Sequence, residues 1–154
     1  MISGLRERLT RRWRQPGEVP VPAKHGVARV YAGPVRFAYA PEHDGHPDPG
    51  EVVWTWVPFE EDATRGKDRP VVVLGWAGST GELAVAQSSS KPHPDDPRWL
   101  LIGAGPWDPE GRESSVRLDR LLAVAPEAVR REGAALDRPR YDAVVAALSH
   151  RRSD

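Results

Sequence analysis

Apolar and polar positions alternate with period two through the middle of the chain and recur every three or four residues at its two ends. Val53, Thr55 and Val57 fall on one face of a strand whose other face carries Trp54 and Trp56. Residues 70–74, Pro-Val-Val-Val-Leu, are apolar throughout and rich in β-branched side chains, the pattern of a strand buried on both faces. Residues 83–86 predict a third strand, after a turn at 77–81. Residues 99–102 predict a fourth, and 115–124 a fifth in which Val116 and Leu118 alternate with Arg117 and Asp119. Two shorter strand-like pieces, 27–32 and 35–40, are separated by Gly33-Pro34; their spacing suggests a hairpin or an extension of a sheet edge.

Helical spacing marks the ends. Ile2, Leu5, Leu9 and Trp13 form an apolar stripe over residues 1–15 among Arg6, Arg8, Arg11, Arg12 and Arg14, and Pro16 stops it. Its basic face is read as a solvated surface in preference to a nucleic-acid contact. Residues 17–24, with Pro20 and Pro22, read as a linker. Near the C-terminus, Pro126 and Gly133 frame a short predicted helix with Val129 inside. A second helix is predicted from about Asp137, with Pro139 in its first turn and Tyr141, Val144, Val145 and Leu148 along one side. Many short strands with helices at the ends predict a mostly-β fold, a small, strongly bent barrel.

Composition narrows the function classes. At 154 residues the chain has room for one domain with its own core. Lys plus Arg and Asp plus Glu are 22 each, so any phosphate-binding patch must be local and offset by acid elsewhere. Cysteine is absent, which excludes disulfides and thiolate metal sites. No apolar run approaches the roughly 18 residues of a membrane span, and Arg6, Glu7 and Arg8 interrupt any leader-like core. A cytoplasmic protein without membrane contact is expected. His43 and His46 lie among Glu42, Asp44 and Asp48 in a turn-rich stretch; without ligand-like spacing they read as a surface loop. No metal or other cofactor is expected.

Arg69 is the strongest chemical candidate. It precedes Pro70, which biases it toward an extended backbone, so its guanidinium leaves a strand start from a defined place. A fixed guanidinium can hold two phosphoryl oxygens at once. The alternative is a surface arginine paired with Asp68 or Glu61. Gly66 and Lys67 belong to the loop before it, of the kind that borders a groove. Lys91 and His93 lie in a Pro-rich run that suits a solvent loop or a site edge. Residues 103–105, Gly-Ala-Gly, lack a third glycine and a following helix, so they read as a tight strand connection, not a dinucleotide site; Trp107 reads as a core residue.

The run from Gly50 to Gly75 carries a further signal. A Gly-Glu pair is followed by a Trp-bearing strand, a polar loop, and Gly66-Lys67-Asp68-Arg69-Pro70 leading into Val71-Val72-Val73-Leu74. This order resembles the opening of the MazF/PemK family, toxins of bacterial type II toxin–antitoxin systems that are sequence-selective endoribonucleases. The segment 99–120, with its Gly-x-Gly-x-Trp-Asp core, looks like one branch of that family. The likeness covers residues 48–124 well and the C-terminal helix more loosely.

The resemblance implies an SH3-like barrel of the CcdB/MazF/PemK type spanning residues 46–154, with residues 1–45 as an N-terminal extension. It implies metal-independent cleavage of single-stranded RNA by 2′-OH attack, with Arg69 and a strand-end hydroxyl as catalytic groups. Ser88 aligns best for that hydroxyl. Arg65, Lys67, Asp68, Ser89, Lys91, His93 and Arg120 are the expected substrate-binding residues. Proton transfer is left open among His93, Asp68 and water. Implied partners are a cognate antitoxin, a second copy of the chain in a homodimer, and operator DNA through the antitoxin complex. Where many members carry Gln followed by a basic residue, this chain has Arg120 and Leu122. Two alternatives stand beside the nuclease: a non-catalytic binder like the gyrase poison that shares the fold, and a degenerate member that binds only antitoxin or DNA.

Overall fold

The computed structural model describes residues 27–41 and 47–152. Eight strands form one antiparallel sheet: β1 (Arg29–Val30), β2 (Val35–Phe37), β3 (Glu51–Pro58), β4 (Gly66–Ala77), β5 (Leu83–Ser89), β6 (Trp99–Gly103), β7 (Ser114–Val124) and β8 (Arg130–Ala135). One helix, α1 (Arg138–Arg152), ends the described chain. This is the mostly-β fold expected, with its C-terminal helix. The expected helix over residues 1–15, the linker after it and the 43–46 cluster lie outside the described residues.

The central ladder runs β7-β5-β4-β3, with β1 beyond β7 and β8 beyond β3. The outer edge of β7 is shared: β6 pairs with its first half and β1 with its second. β4 is shared in the same way, pairing with β3 over residues 66–72 and with β2 over 75–77. β1 and β2 therefore extend different parts of the sheet and do not form a hairpin with each other. The connection between them brings Tyr31 and Val35 onto Ala77, Ala84 and Ala123, three small residues that let the chain pass close to the sheet. Gly75 permits the β2–β4 approach: a Cβ there would strike the Arg36 carbonyl, and its φ is 154°.

Period-two alternation sends side chains to two cores. Val53, Val57, Val71, Val73, Val85 and Leu122 fill one. Val52, Val72, Leu74, Val116 and Leu121 face the other, which α1 covers with Tyr141, Val144 and Leu148. The helical spacing of these three residues is thus the packing stripe that the sequence predicts, with Val145 partly buried beside it. The Tyr141 hydroxyl donates to the Leu74 carbonyl at 2.6 Å, tying helix to central strand.

One element differs from expectation. Residues 126–133 do not form a helix: Pro126–Ala128 is a single 3₁₀ turn and β8 follows. The unpaired edge of β3 captures this segment, with Trp54 opposite Arg130 and Val53 opposite Arg131. The register shifts before Ala134 meets Val52, so Gly133 falls in a strand irregularity and not at a helix end. Tertiary pairing overrides the local helix signal.

Candidate active site

The β4–β5 ladder ends at Val71↔Gln87. Pro70, next along β4, has no N–H to continue it. Beyond this point β4 stays paired with β3, while β5 stays paired with β7 through Ser88↔Val116 and Ser89↔Ser115. The two strands part, and a cleft of about 230 Å³ opens between them. Lys67, Arg69, Ser88 and Lys91 line it, with Trp54 and Trp107 supplying apolar wall. Local pairing thus brings together two segments far apart in sequence: the Arg-Pro step and the serine cluster.

The cleft is electropositive. Burial, then the nearby charges of Arg120 and Arg117, push the Arg69 guanidinium below its ordinary range, with Glu61 opposing. It remains a cation, since a guanidinium does not give up its proton in a protein. Among the described residues Arg69 makes no ion pair or side-chain hydrogen bond. Lys67 is pushed down by burial and by Arg69 and Lys91. An anion entering here relieves repulsion among cations already in place.

Arg69 also lines a second, smaller cavity of about 150 Å³, shared with Gln87, Arg117, Arg120 and the 59–65 loop. Arg120 donates to the Pro58 carbonyl at 3.0 Å. Arg117 is nearly buried. Its Nε donates to Asp119 at 2.7 Å, and its Nη2 meets both Glu60 oxygens at 3.1 Å. The hydrogen bond to Asp119 does most to raise Arg117 and to lower Asp119. Arg117 and Glu60 are absent from the sequence-derived set. The alternation across 116–119 carried a signal, since Arg117 and Asp119 share a strand face, whereas Glu60 reaches Arg117 only through the fold.

The other expected residues distribute around the cleft. Asp68 lines it but is paired with Arg130 at 2.9 Å. Ser89 accepts from the Lys91 backbone at 3.1 Å and lies 3.3 Å from His93 Nε2. His93 stacks on Trp99, ring centroids 3.8 Å apart and nearly parallel, and faces a wider neighbouring cavity of about 900 Å³ rather than the Arg69 cleft. Arg65 lies over the Phe59 ring at 5.8 Å, in the loop before β4. Trp107 is buried in the helix-side core, its Nε1 donating to Ser114 at 3.1 Å. Asp108 and Arg112, within the family-like segment but not among the expected site residues, pair at 2.9 Å in the cleft lining. Among the described residues no group of three or more His, Cys, Asp or Glu is arranged to hold a metal.

Among the described residues no helix is long and apolar enough to cross a membrane. No curated protein matches the chain. A family model described as PemK-like, MazF-like toxin of type II toxin-antitoxin system matches residues 48–150, most of the chain and all of the cleft. The chain belongs to this family of PemK-like, MazF-like toxins of type II toxin–antitoxin systems.

Proposed function

We propose that this toxin is a metal-independent endoribonuclease acting on single-stranded RNA. One observation carries the reading. Arg69 is charged and partly buried, makes no ion pair or side-chain hydrogen bond among the described residues, and lines one cleft with Ser88. That is the arrangement needed where negative charge accumulates on a phosphoryl group.

In the reaction the ribose 2′-oxygen bonds to phosphorus as its proton leaves. The P–O5′ bond breaks, and the 5′ oxygen takes up a proton. The products are a 2′,3′-cyclic phosphate and a 5′-hydroxyl. Arg69 neutralises the equatorial oxygens of the pentacoordinate state and Ser88 donates a hydrogen bond to one of them. Lys67 and Lys91 hold flanking phosphates. Ser89 and Asp68 line the same cleft, Arg120 lines the adjoining pocket and His93 the neighbouring cavity; on this reading substrate approaches along these residues and Arg65.

Membership of a toxin–antitoxin family implies a cognate antitoxin and a homodimer. On this reading the antitoxin acts by covering the cleft with an acidic segment that folds as it binds. The test is product analysis on an RNA carrying one 2′-deoxy sugar at a mapped cut site. Cleavage is lost at that position alone, and the remaining cuts end in cyclic phosphate. Cutting that persists at the deoxy position contradicts the mechanism.

A further inference from the structure

Resting on the ribonuclease reading, we propose that the pocket between Arg69, Arg117 and Arg120 is a second phosphate site, and that Glu60, by holding Arg117, competes for it in the free protein. The ligand is a backbone phosphodiester adjoining the one held beside Ser88.

The first argument is placement. Arg69 lines both the cleft and the pocket, so phosphates in the two lie on either side of one guanidinium. The pocket's volume of about 150 Å³ equals that of a few waters. Three arginines and Gln87 line it, with Glu60 and Glu61 on the loop side; the guanidinium and amide donors suit phosphate oxygens.

The second argument is the uneven hold on Arg117. Asp119 is two residues away on the same strand and bonds Nε at 2.7 Å, a fixed partner. Glu60 comes from the 59–65 loop, and its side chain is 62% exposed although the arginine it meets is 9% exposed. Both Glu60 oxygens sit 3.1 Å from the same Nη2. A phosphodiester offers the same charge and two oxygens of the same kind, so it can take that position while Asp119 remains.

The third argument is charge. Arg120 is held down by burial and by Arg117, while Glu60, Asp119 and Glu61 oppose that shift. Loop acid therefore stands where substrate phosphate is wanted. RNA binding must displace Glu60, and Glu60 sets the affinity that a strand has to exceed.

The experiment is anisotropy with a labelled oligothymidylate, which has no 2′-hydroxyl and cannot be cut by the proposed mechanism. Glu60→Gln should tighten binding several-fold at low salt. The slope of log Kd against log salt should change by less than about 0.7, the increment for one further phosphate on a single strand, because the same phosphate is bound in both proteins. Glu127→Gln, the same charge change at an exposed position of the 126–128 turn that lines neither cavity, should leave both unchanged. Adding Arg120→Ala should abolish the gain from Glu60→Gln. Unchanged affinity in Glu60→Gln overturns the proposal, as does an equal gain in Glu127→Gln. Tighter binding with no RNA cutting supports the site and refutes the ribonuclease reading; RNA cutting without tighter binding does the reverse.

Discussion

Asp68 on β4 and Arg130 on β8 reach across the intervening β3 to pair at 2.9 Å. Asp68 is the residue next to Arg69, and this pairing occupies the carboxylate closest to it in sequence. Arg130→Ala should release Asp68 toward Arg69 and lower RNA cleavage several-fold, since an opposite charge would compete with phosphate. Asp68→Asn in the same background should restore the rate. Initial rates of the three proteins on one RNA check this.

Ser88 is buried at the point where β4 and β5 part. A hydrogen bond to a charged group contributes about 1.5–3 kcal/mol, and each 1.4 kcal/mol is about tenfold in rate. Ser88→Ala should therefore lower kcat by about 10- to 100-fold, with KM little changed if the bond strengthens only in the transition state. Steady-state kinetics on a short RNA separate the two parameters.

Tyr141 links α1 to the sheet through the Leu74 carbonyl. That carbonyl also accepts from the Ala38 backbone at 3.2 Å, so it keeps a partner when the hydroxyl is removed. Tyr141→Phe should cost only about 0.5–1.5 kcal/mol. Tyr141→Ala should cost about 3–5 kcal/mol, because a cavity opens in the helix-side core. Urea unfolding measures both.

Asp96 accepts from the Arg98 side chain and backbone, and these bonds hold its carboxyl at about 2. A depressed folded value stabilises the native state above the ordinary carboxylate range. That contribution is lost as pH falls toward 2. Carbon-detected NMR should show Asp96 titrating near pH 2 in the native protein. In Arg98→Ala its midpoint should move up toward about 4, the ordinary aspartate value.

Much of the fold was legible because its signals are local. The run Val71-Val72-Val73-Leu74 could be placed only in a buried strand, and Tyr141, Val144 and Leu148 only on a packed helix face. Residues 126–133 were not legible, since the edge of β3 decides their structure and nothing within the segment announces it. For β1 and β2 the spacing about Gly33-Pro34 allowed a hairpin or a sheet extension, and the extension forms because Ala77, Ala84 and Ala123 receive a crossing chain. Arg69 could be picked out as a candidate from its step into Pro70 and the serine cluster from the family resemblance, and the fold brings both into the lining of one cleft. Glu60 was not, because its meaning comes from Arg117, 57 residues away.

The central claim is that Arg69 stabilises phosphoryl charge during RNA cleavage. The most direct measurement is cleavage of a long unstructured RNA in EDTA by the wild type and by Arg69→Ala, with thermal unfolding of both. The account predicts site-selective cuts by the wild type and a loss of at least about 100-fold in the variant. Melting of Arg69→Ala should be unchanged or higher, since a partly buried cation repelled by its neighbours has been removed. Undiminished cutting by a folded Arg69→Ala protein, or no cutting by a folded wild type, would contradict it.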